Sequence, residues 1–415
     1  MKNNMNNTNN TQATIDNLFT NSDFSFNPDI QSFLFDGMTN LLNSAFLKER
    51  EFHLSDNTGD KANGFYPSRN VNLGTTSIPI SIPRSRSGDF YPGLLPKYAR
   101  NIGDEYEKIL ENIVLNCKNF KSVSATIRSL GLTYSQKQID VILDDLFIES
   151  KKYNERQLDS DWLFVYIDAK VIDMADETGH IKKAVQYTVI GVNMECKKEM
   201  LLCISFFGNE SIDLWKKVIN NLKNRGLTRV LMLTTDDFSG LNKMISSLLP
   251  NCDHQLCLVH LTRNAKKNFD DKVYELFIQF ISKIYLSGSY DDAYDKFNKF
   301  IDEVIEKDHK SYAKYLRTRI KNYVAFTKYP NDIKPLIRTT NPVEGVNNAI
   351  EITKRASGGY FHSEREINIK MKIIFDKLRN SKWKNPIPKV KGNFSQLNQM
   401  FFDRFEGEID ERKFC

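Results

Sequence analysis

The run Trp162-Leu-Phe-Val-Tyr-Ile-Asp168 decides the fold of this 415-residue chain, because it is an apolar segment of strand length that ends in a carboxylate. Similar apolar runs predict strands at 184–193, 199–207 and 229–235. A helical pattern over 209–226 separates the last two of these strands. Three strands in a meander, followed by a helix and a further strand, indicate an α/β fold.

The pattern continues on the C-terminal side of this block. A short helix is predicted at 241–249 and a fifth strand at 254–259, which gives a three-layer arrangement of helices on a sheet. Residues 262–330 carry apolar and aromatic positions at helical spacing and predict an all-α block. Further helices are expected from about Asn341 and over 363–383, before a polar tail.

The N-terminal third has a different character. Its first dozen residues are mostly Asn, and an apolar helix over 30–46 follows, which either faces a partner or packs on the main body. The proline-containing run 77–83 alternates apolar and polar residues like an edge strand. A short helix after Ser122, a Gly turn and a second helix from Ser135 fit a helix-turn-helix, although ordinary helical hairpins share this pattern.

Composition excludes several classes of protein. No stretch approaches the ~18–20 apolar residues of a membrane span, and the N-terminus lacks the apolar segment of a secretory signal. The six cysteines, of which only Cys252 and Cys257 lie close together, do not form a disulfide framework and indicate reduced thiols in a cytoplasm. The net charge of +6 is too small to establish a nucleic-acid partner. Basic residues outnumber acidic ones over 65–100, 311–340 and 365–391, which indicates either phosphate contacts or solvated surfaces.

Carboxylates follow two of the predicted strands. Asp168 ends the first strand, and Asp236 and Asp237 follow the fourth. If these strands are neighbours, carboxylates from both emerge at one edge of the sheet, where they could bind Mg²⁺. Successive residues at a strand end point in different directions, so at most one of Asp236 and Asp237 faces such a site. The alternative is that these acids only form turns or helix caps.

A second candidate metal pattern lies nearby. Cys252, His254, Cys257 and His260 provide four ligand types of the kind that bind zinc. Alternate side chains of a strand point apart, however, and the predicted strand is otherwise apolar. We therefore expect that these four side chains do not converge on one ion.

Five segments, in order along the chain, resemble the motifs of mutator-type (bacterial insertion-sequence) DDE transposases. They are Tyr166-Ile-Asp-Ala169, Asn221-Leu-Lys-Asn-Arg-Gly226 with Trp215 before it, Thr235-Asp-Asp-Phe-Ser-Gly-Leu241, Gln255-Leu-Cys-Leu-Val-His-Leu-Thr-Arg-Asn264 and Thr339-Thr-Asn-Pro-Val-Glu-Gly-Val-Asn347. The likeness covers roughly 60–380. The sequence departs from the family at Asp237, where Gly is usual, and at Pro342, near a helix start that tolerates proline.

The resemblance implies a fold and a site. The fold is an RNase H-like catalytic core with an all-α insertion, preceded by a helical (helix-turn-helix) and small β N-terminal DNA-binding region. The catalytic and metal-binding carboxylates would be Asp168, Asp236 and Glu344, with Mg²⁺ or Mn²⁺ as cofactor. Possible supporting residues of the active site are Cys257, His260, Asn341 and Asn347.

The resemblance also implies a function. The protein would cleave transposon ends at terminal inverted repeats and join the 3′-hydroxyl ends to target DNA by two-metal phosphoryl transfer, as a cytoplasmic, nucleoid-associated homodimer or larger homo-oligomer. The alternatives are a catalytically inactive, transposase-derived sequence-specific DNA-binding protein and another RNase H-like nuclease. Possible DNA-binding residues are Arg84, Arg86, Arg128, Lys137, Arg263, Lys321, Arg338, Lys354 and Arg355.

These expectations divide the chain into seven segments. They are an Asn-rich leader with a possible partner helix (1–45), a small basic β element (46–103), a helix-turn-helix region (104–155), the first part of the core (156–261), the all-α insertion (262–335), the second part of the core (336–385) and a polar tail (386–415).

Overall fold

A computed structural model of the protein describes residues 28–73, 76–95, 101–102, 105–129, 136–306 and 308–406. The chain forms two compact units, one made of Met1–Asn112 and Ile127–Thr133 and the other of Ile113–Thr126 and Tyr134–Cys415. The expected Asn-rich leader before residue 28 lies outside the described residues.

The first elements along the chain are α1 (Pro28–Asp56), β1 (Ala62–Phe65), β2 (Arg69–Leu73), β3 (Thr76–Ile80), β4 (Pro83–Ser85), β5 (Asn101–Ile102), α2 (Glu105–Asn116), α3 (Phe120–Ser129) and α4 (Gln136–Glu155). The central elements are β6 (Asp161–Ala175), β7 (Ile181–Asn193), β8 (Lys198–Phe207), α5 (Ile212–Asn224), β9 (Arg229–Thr235), α6 (Leu241–Leu248) and β10 (Asp253–Leu256).

Helices form the rest of the described chain. They are α7 (Leu258–Asn268), α8 (Asp271–Ile284), α9 (Tyr290–Phe300) continued by a π-helical turn (Ile301–Ile305), α10 (Lys310–Arg317), α11 (Ile320–Tyr323) with a 3-10 turn (Ala325–Lys328), α12 (Lys334–Ile337), α13 (Asn341–Ala356), α14 (Glu364–Asn380), α15 (Pro388–Gly392) and α16 (Phe394–Phe405). Within the described residues, no helix is both long and apolar enough to cross a membrane.

The first unit contains the small β element. Strands β3, β2 and β5 form one sheet in that order, and β1 pairs with β4 in another. The prediction of an edge strand near 77–83 is confirmed, since β3 pairs on one side only, with β2. Phe46 of α1 is fully buried against Val71 and Ile80. The expected boundary between residues 45 and 46 is therefore wrong, because α1 runs through it and packs its apolar face on these strands.

A five-stranded sheet is the centre of the second unit. Its order is β10-β9-β6-β7-β8, with β6, β7 and β8 antiparallel and with β9 and β10 parallel to β6. Both faces are covered: Trp215 and Ile245 pack on one face, and helical residues such as Phe326 pack on the other side. The sheet is closely packed at Gly191, where a Cβ atom would lie 2.5 Å from the Trp162 ring. The predicted α/β layering is confirmed.

The expected fifth strand, over 254–259, is too long. Strand β10 ends at Leu256, and α7 begins at Leu258. Leu258 and Leu261 are buried on one face of α7 as completely as Leu256 is in the strand. A short run of apolar residues is consistent with both the two-residue period of a buried strand and the 3.6-residue period of a buried helix. The apolar pattern of the sequence therefore could not locate the change from strand to helix.

The expected polar tail after residue 385 is also wrong within the described residues. Helix α16 buries Leu397, Phe401 and Phe405, which are spaced four residues apart and therefore share one face. Arg404 secures this helix to the sheet by donating to the Leu231 carbonyl at 2.7 Å and pairing with Asp253 at 2.8 Å. The many polar residues between the apolar ones belong to the exposed face of α16.

Both helices expected for the helix-turn-helix are present as α3 and α4. The residues that connect them, 130–135, lie outside the described residues. The motif itself therefore stays a prediction.

Candidate active site

Two carboxylates meet at one edge of the central sheet. β6 and β9 are parallel neighbours with Tyr166 paired to Thr234, so Asp168 and Asp236, each two residues further on, lie side by side. Burial raises the pKa of the Asp168 carboxyl to about 8, helped by the negative charge of Asp236 and a hydrogen bond between the two acids. The pair therefore resists double ionisation without a cation.

Helix α13 supplies a direct partner for Asp168. The buried Asn347 donates its side-chain amide to an Asp168 carboxylate oxygen. Lys170, two residues after Asp168 on the same face of β6, donates to the Asn347 carbonyl at 3.2 Å and pairs with Glu351 at 3.0 Å. These contacts tie the first turns of α13 to the strand that carries Asp168.

Asp236 has a separate partner. Nδ1 of His260 on α7 lies 2.5 Å from an Asp236 oxygen. The close contact with the Asp236 carboxylate, followed by that with Cys257, raises the pKa of His260 to about 10, which favours the protonated imidazole at neutral pH. Burial alone would raise the pKa of the Cys257 thiol, but hydrogen bonds from His260 and Thr340 outweigh burial and lower it.

Asp237 points away from this pair, as expected for successive residues at a strand end. Its carboxylate accepts hydrogen bonds from the hydroxyls of Tyr315 and Tyr323, the latter at 2.8 Å, and from Arg319 at 3.0 Å. All three partners belong to the all-α segment. Asp237 is thus fully engaged in fixing that segment to the end of β9, whereas Asp236 faces Asp168.

Glu344 lies in the first turn of α13, and its side chain is 62% exposed. Glu344 and Asp168 line one cavity of about 300 Å³ together with His260, Asn341 and Asn347. An Arg263 nitrogen lies 3.6 Å from a Glu344 oxygen across this space. Two of the predicted carboxylates, Asp168 and Glu344, therefore line one cavity, and the third, Asp236, lies beside Asp168 at the neighbouring strand end.

The four-residue zinc pattern does not converge. His254 bonds to the Thr235 hydroxyl at 2.8 Å, burial lowers its pKa to about 3, and the Cys252 thiol donates to the Asp253 carbonyl. Among the described residues, the only group of three potential metal ligands is a different one: Asp236, Cys257 and His260, whose ligand atoms lie within 4.8 Å of one another.

The predicted DNA-binding residues are spread over the surface. Arg84, Arg86, Arg128, Lys137 and Lys321 are exposed. Arg263 and Arg355 are exposed and lie beside Glu344 and Glu351, respectively. The Lys354 nitrogen lies 3.9 Å from an Asp173 oxygen, and the Arg338 guanidinium stacks on the Tyr285 ring at 3.7 Å. Only Arg263 lines the cavity of the carboxylates.

Some basic residues of the stretches at 311–340 and 365–391 are engaged in contacts within the protein. Arg319 pairs with Asp237, the buried Lys334 donates to the Ser287 carbonyl, and the buried Lys370 pairs with Glu366. A count of charges along the chain therefore overstates the basic surface that is available to a partner.

Sequence reasoning missed several residues of the site. Lys170 could have been found, since it shares a strand face with Asp168, and Glu351 follows Asn347 by one helical turn. Thr340 lies in the quoted 339–347 motif, but its contact with Cys257 had no local signal because the two residues are 83 positions apart; its N–H and hydroxyl both donate to the Cys257 sulfur at 3.4 Å.

The fold and site define a mixed α/β protein with paired carboxylates at the edge of a central sheet. A sequence model of the family described as "Transposase, Mutator family" matches residues 2–385, and the chain belongs to this family.

Insertion-sequence transposases are among its relatives. The transposase of IS1201 from Lactobacillus helveticus is 28% identical, over 71% of this chain and 79% of the relative. The transposase of IS905 from Lactococcus lactis is 27% identical, over 74% of this chain and 78% of the relative. A solved structure titled "Drosophila P element transposase strand transfer complex" aligns with a TM-score of 0.27 and 12% identity, over 74% of this chain and 87% of that one.

Proposed function

We propose that this protein is a DNA transposase that cleaves transposon ends at terminal inverted repeats and joins the freed 3′-hydroxyl ends to new DNA. The observation that carries the proposal is the meeting of Asp168 and Asp236 at the ends of neighbouring parallel strands, beside a cavity that Glu344 also lines. Membership of the Mutator family of transposases supports it. The strand order, a three-stranded meander extended by two parallel strands, supports an RNase H-like core.

The donor set suits a hard divalent cation such as Mg²⁺ or Mn²⁺. Asp168 and Asp236 are close enough to repel each other, and a cation relieves that repulsion. The Asn347 amide oxygen adds a further oxygen, buried and without a hydrogen-bond partner in the described part of the chain. When bound, two such ions activate an attacking oxygen and stabilise the leaving oxygen in phosphoryl displacement.

The protein's own residues would hold and orient this site. Asn347 fixes the rotamer of Asp168, and the protonated His260 holds Asp236. Glu344 is exposed on the first turn of α13 and lines the same cavity as Asp168, where it would serve as the third carboxylate. Arg263 carries a guanidinium that is 59% exposed, and guanidinium groups suit a DNA phosphate.

The DNA partner is proposed on the same basis. Helices α3 and α4 and the exposed Arg84 and Arg86 of the small β element would contact double-stranded DNA at the terminal repeats. A homodimer or larger assembly would hold two transposon ends for joining to one target.

The test is cleavage of a labelled duplex that carries the inverted repeats flanking the coding region. We expect nicking by the wild-type protein with Mg²⁺ and none with a chelator. Asp168→Asn and Glu344→Gln should lose nicking and strand transfer but retain binding of the same duplex. Activity of Asp168→Asn at the wild-type level would overturn the assignment. Specific binding without cleavage by the wild-type protein would instead support the inactive DNA-binding alternative.

A further inference from the structure

A cluster of three different donor atoms lies beside Asp168. A carboxylate oxygen of Asp236, the sulfur of Cys257 and an imidazole nitrogen of His260 lie within 4.8 Å of one another. We propose that these three side chains form a second type of metal site, which takes a borderline transition metal such as Zn²⁺ or Co²⁺ rather than Mg²⁺.

The choice of metal follows from the donor atoms. Mg²⁺ takes oxygen ligands almost exclusively, whereas a thiolate and an imidazole favour Zn²⁺ and its neighbours in the first transition series. Three protein ligands leave a fourth position open to water, as in open zinc sites. Of the three side chains, only Asp236 would also serve an Mg²⁺ ion, so the two types of metal compete for one carboxylate.

The backbone holds the three donors near one another. Cys257 directly precedes α7, and His260 follows one turn later on the same side of the helix. The Cys257 N–H donates to the Thr235 carbonyl at 2.8 Å. Because Thr235 is the last residue of β9 and Asp236 follows it, this bond fixes Cys257 next to Asp236. The site is thus assembled by two adjacent strand ends and needs only small side-chain movements to close on an ion.

The surroundings of the sulfur also favour a metal-bound thiolate. The N–H and hydroxyl of Thr340 both donate toward the Cys257 sulfur at 3.4 Å, and donors of this kind stabilise negative charge on sulfur. A metal would displace the imidazole proton at Nδ1 of His260, which faces an Asp236 oxygen 2.5 Å away, and the thiol proton of Cys257. Binding therefore releases protons to the solvent.

This ligand set differs from the Cys-His pattern that stands out in the sequence. His254 is committed to Thr235, and the Cys252 thiol faces the Asp253 carbonyl. Cys252 therefore serves as a matched control, since it lies five positions from Cys257 and is not one of the three donors.

The site has a functional consequence, which rests on the proposed function. An ion held by Asp236, Cys257 and His260 withholds Asp236 from the Mg²⁺ that DNA cleavage requires. Zn²⁺ should therefore inhibit nicking in the presence of Mg²⁺, and a chelator that is selective for Zn²⁺ should restore it.

The primary test needs neither DNA nor activity. The purified full-length protein is titrated with Co²⁺ under reducing conditions, and absorption is recorded. We expect a thiolate-to-cobalt charge-transfer band in the near ultraviolet, saturating at one ion per chain and removed by Zn²⁺. Cys257→Ser should abolish the band, Cys252→Ser should retain it, and His260→Gln should weaken Co²⁺ binding by at least about tenfold.

Two results would overturn the inference: no band in the wild-type protein, or a band that survives in Cys257→Ser. If circular dichroism shows that Cys257→Ser is unfolded, the Co²⁺ affinities of His260→Gln and Asp236→Asn provide the test instead. An affinity equal to that of the wild-type protein in both variants would overturn the inference. The outcome is separable from that of the proposed function. A protein that shows the band but does not cut DNA with Mg²⁺ keeps this site, and one that cuts DNA without the band loses it.

Discussion

The side-chain amide of Asn347 on α13 donates a hydrogen bond to the carboxylate of Asp168 on β6, across 179 positions of the chain. The all-α segment lies between them in sequence, so this bond joins the two parts of the core directly at the candidate active site. Asn347 also contributes its backbone carbonyl to Lys170, which makes it the central link between the helix and the strand.

We expect Asn347→Ala to lower DNA cleavage by about 10–100-fold, the range typical of residues that orient a metal ligand. Asp168 would keep its carboxyl group but lose its fixed rotamer, so a higher Mg²⁺ concentration should be needed for half-maximal nicking. Nicking rates against Mg²⁺ concentration measure this. Ile352→Ala, at a 55% exposed position of the same helix, is the control. An unchanged Mg²⁺ dependence in Asn347→Ala would contradict the orienting role.

The adjacent acids Asp236 and Asp237 should differ sharply in their effect on stability. Asp237→Ala leaves Arg319 and two tyrosine hydroxyls without their partner in a mostly buried site, and we expect a loss of about 3–5 kcal/mol in the free energy of unfolding. Asp236→Asn should cost far less, because His260 is the single ion-pair partner of Asp236 among the described residues, and removing the Asp236 charge also relieves the like-charge interaction that raises the pKa of Asp168.

Urea unfolding of the two variants, without metal, measures the difference. Equal losses in both would mean that Asp237 does not anchor the all-α segment. The comparison is internally matched, since the two positions are neighbours at the end of the same strand.

Asp168 should make the metal-free protein less stable as pH rises. Its pKa in the folded state is raised to about 8, above its value in the unfolded chain, so the folded protein binds more protons between about pH 4 and 8. Its contribution to stability is therefore complete below about pH 4 and is lost as pH rises toward 8, with a limiting slope of about 1.4 kcal/mol per pH unit. The pKa of His260 is raised to about 10, so its contribution to the free energy of unfolding is likewise lost as pH rises, but at higher pH than that of Asp168.

Urea unfolding between pH 5 and 8 with a chelator tests this prediction. Asp168→Asn should show a shallower decline than the wild-type protein. Added Mg²⁺ should stabilise the wild-type protein most near pH 8, where the carboxylates are most ionised. Parallel pH profiles for the two proteins would contradict the raised pKa.

The sequence could predict the strands and the carboxylates because both signals are local. The apolar run that ends at Asp168 is by itself enough to predict a strand. The order of the predicted strands then indicates which strand ends lie at the same edge of the sheet. The partners of Asp237 could not be predicted this way, since Tyr315 and Tyr323 lie 78 and 86 positions further on and only packing brings them to the sheet. The final helix was missed for a different reason, namely that its apolar residues are diluted by the polar residues of an exposed face.

That final helix leads to a further prediction. Phe401 on α16 is 1% exposed and belongs to the core that covers one side of the central sheet. Truncating a buried phenylalanine removes its burial and leaves a cavity, so Phe401→Ala should lower the free energy of unfolding by about 3–5 kcal/mol. Ser395→Ala, at an exposed position of the same helix, should change it by no more than about 0.5 kcal/mol.

Urea unfolding of the full-length variants compares the two. A loss for Phe401→Ala as small as that for Ser395→Ala would mean that the segment behaves as the polar tail its composition suggests. A large loss would mean that the C-terminal helices are part of the core, because Arg404 and Phe401 together join α16 to the sheet that carries Asp168 and Asp236.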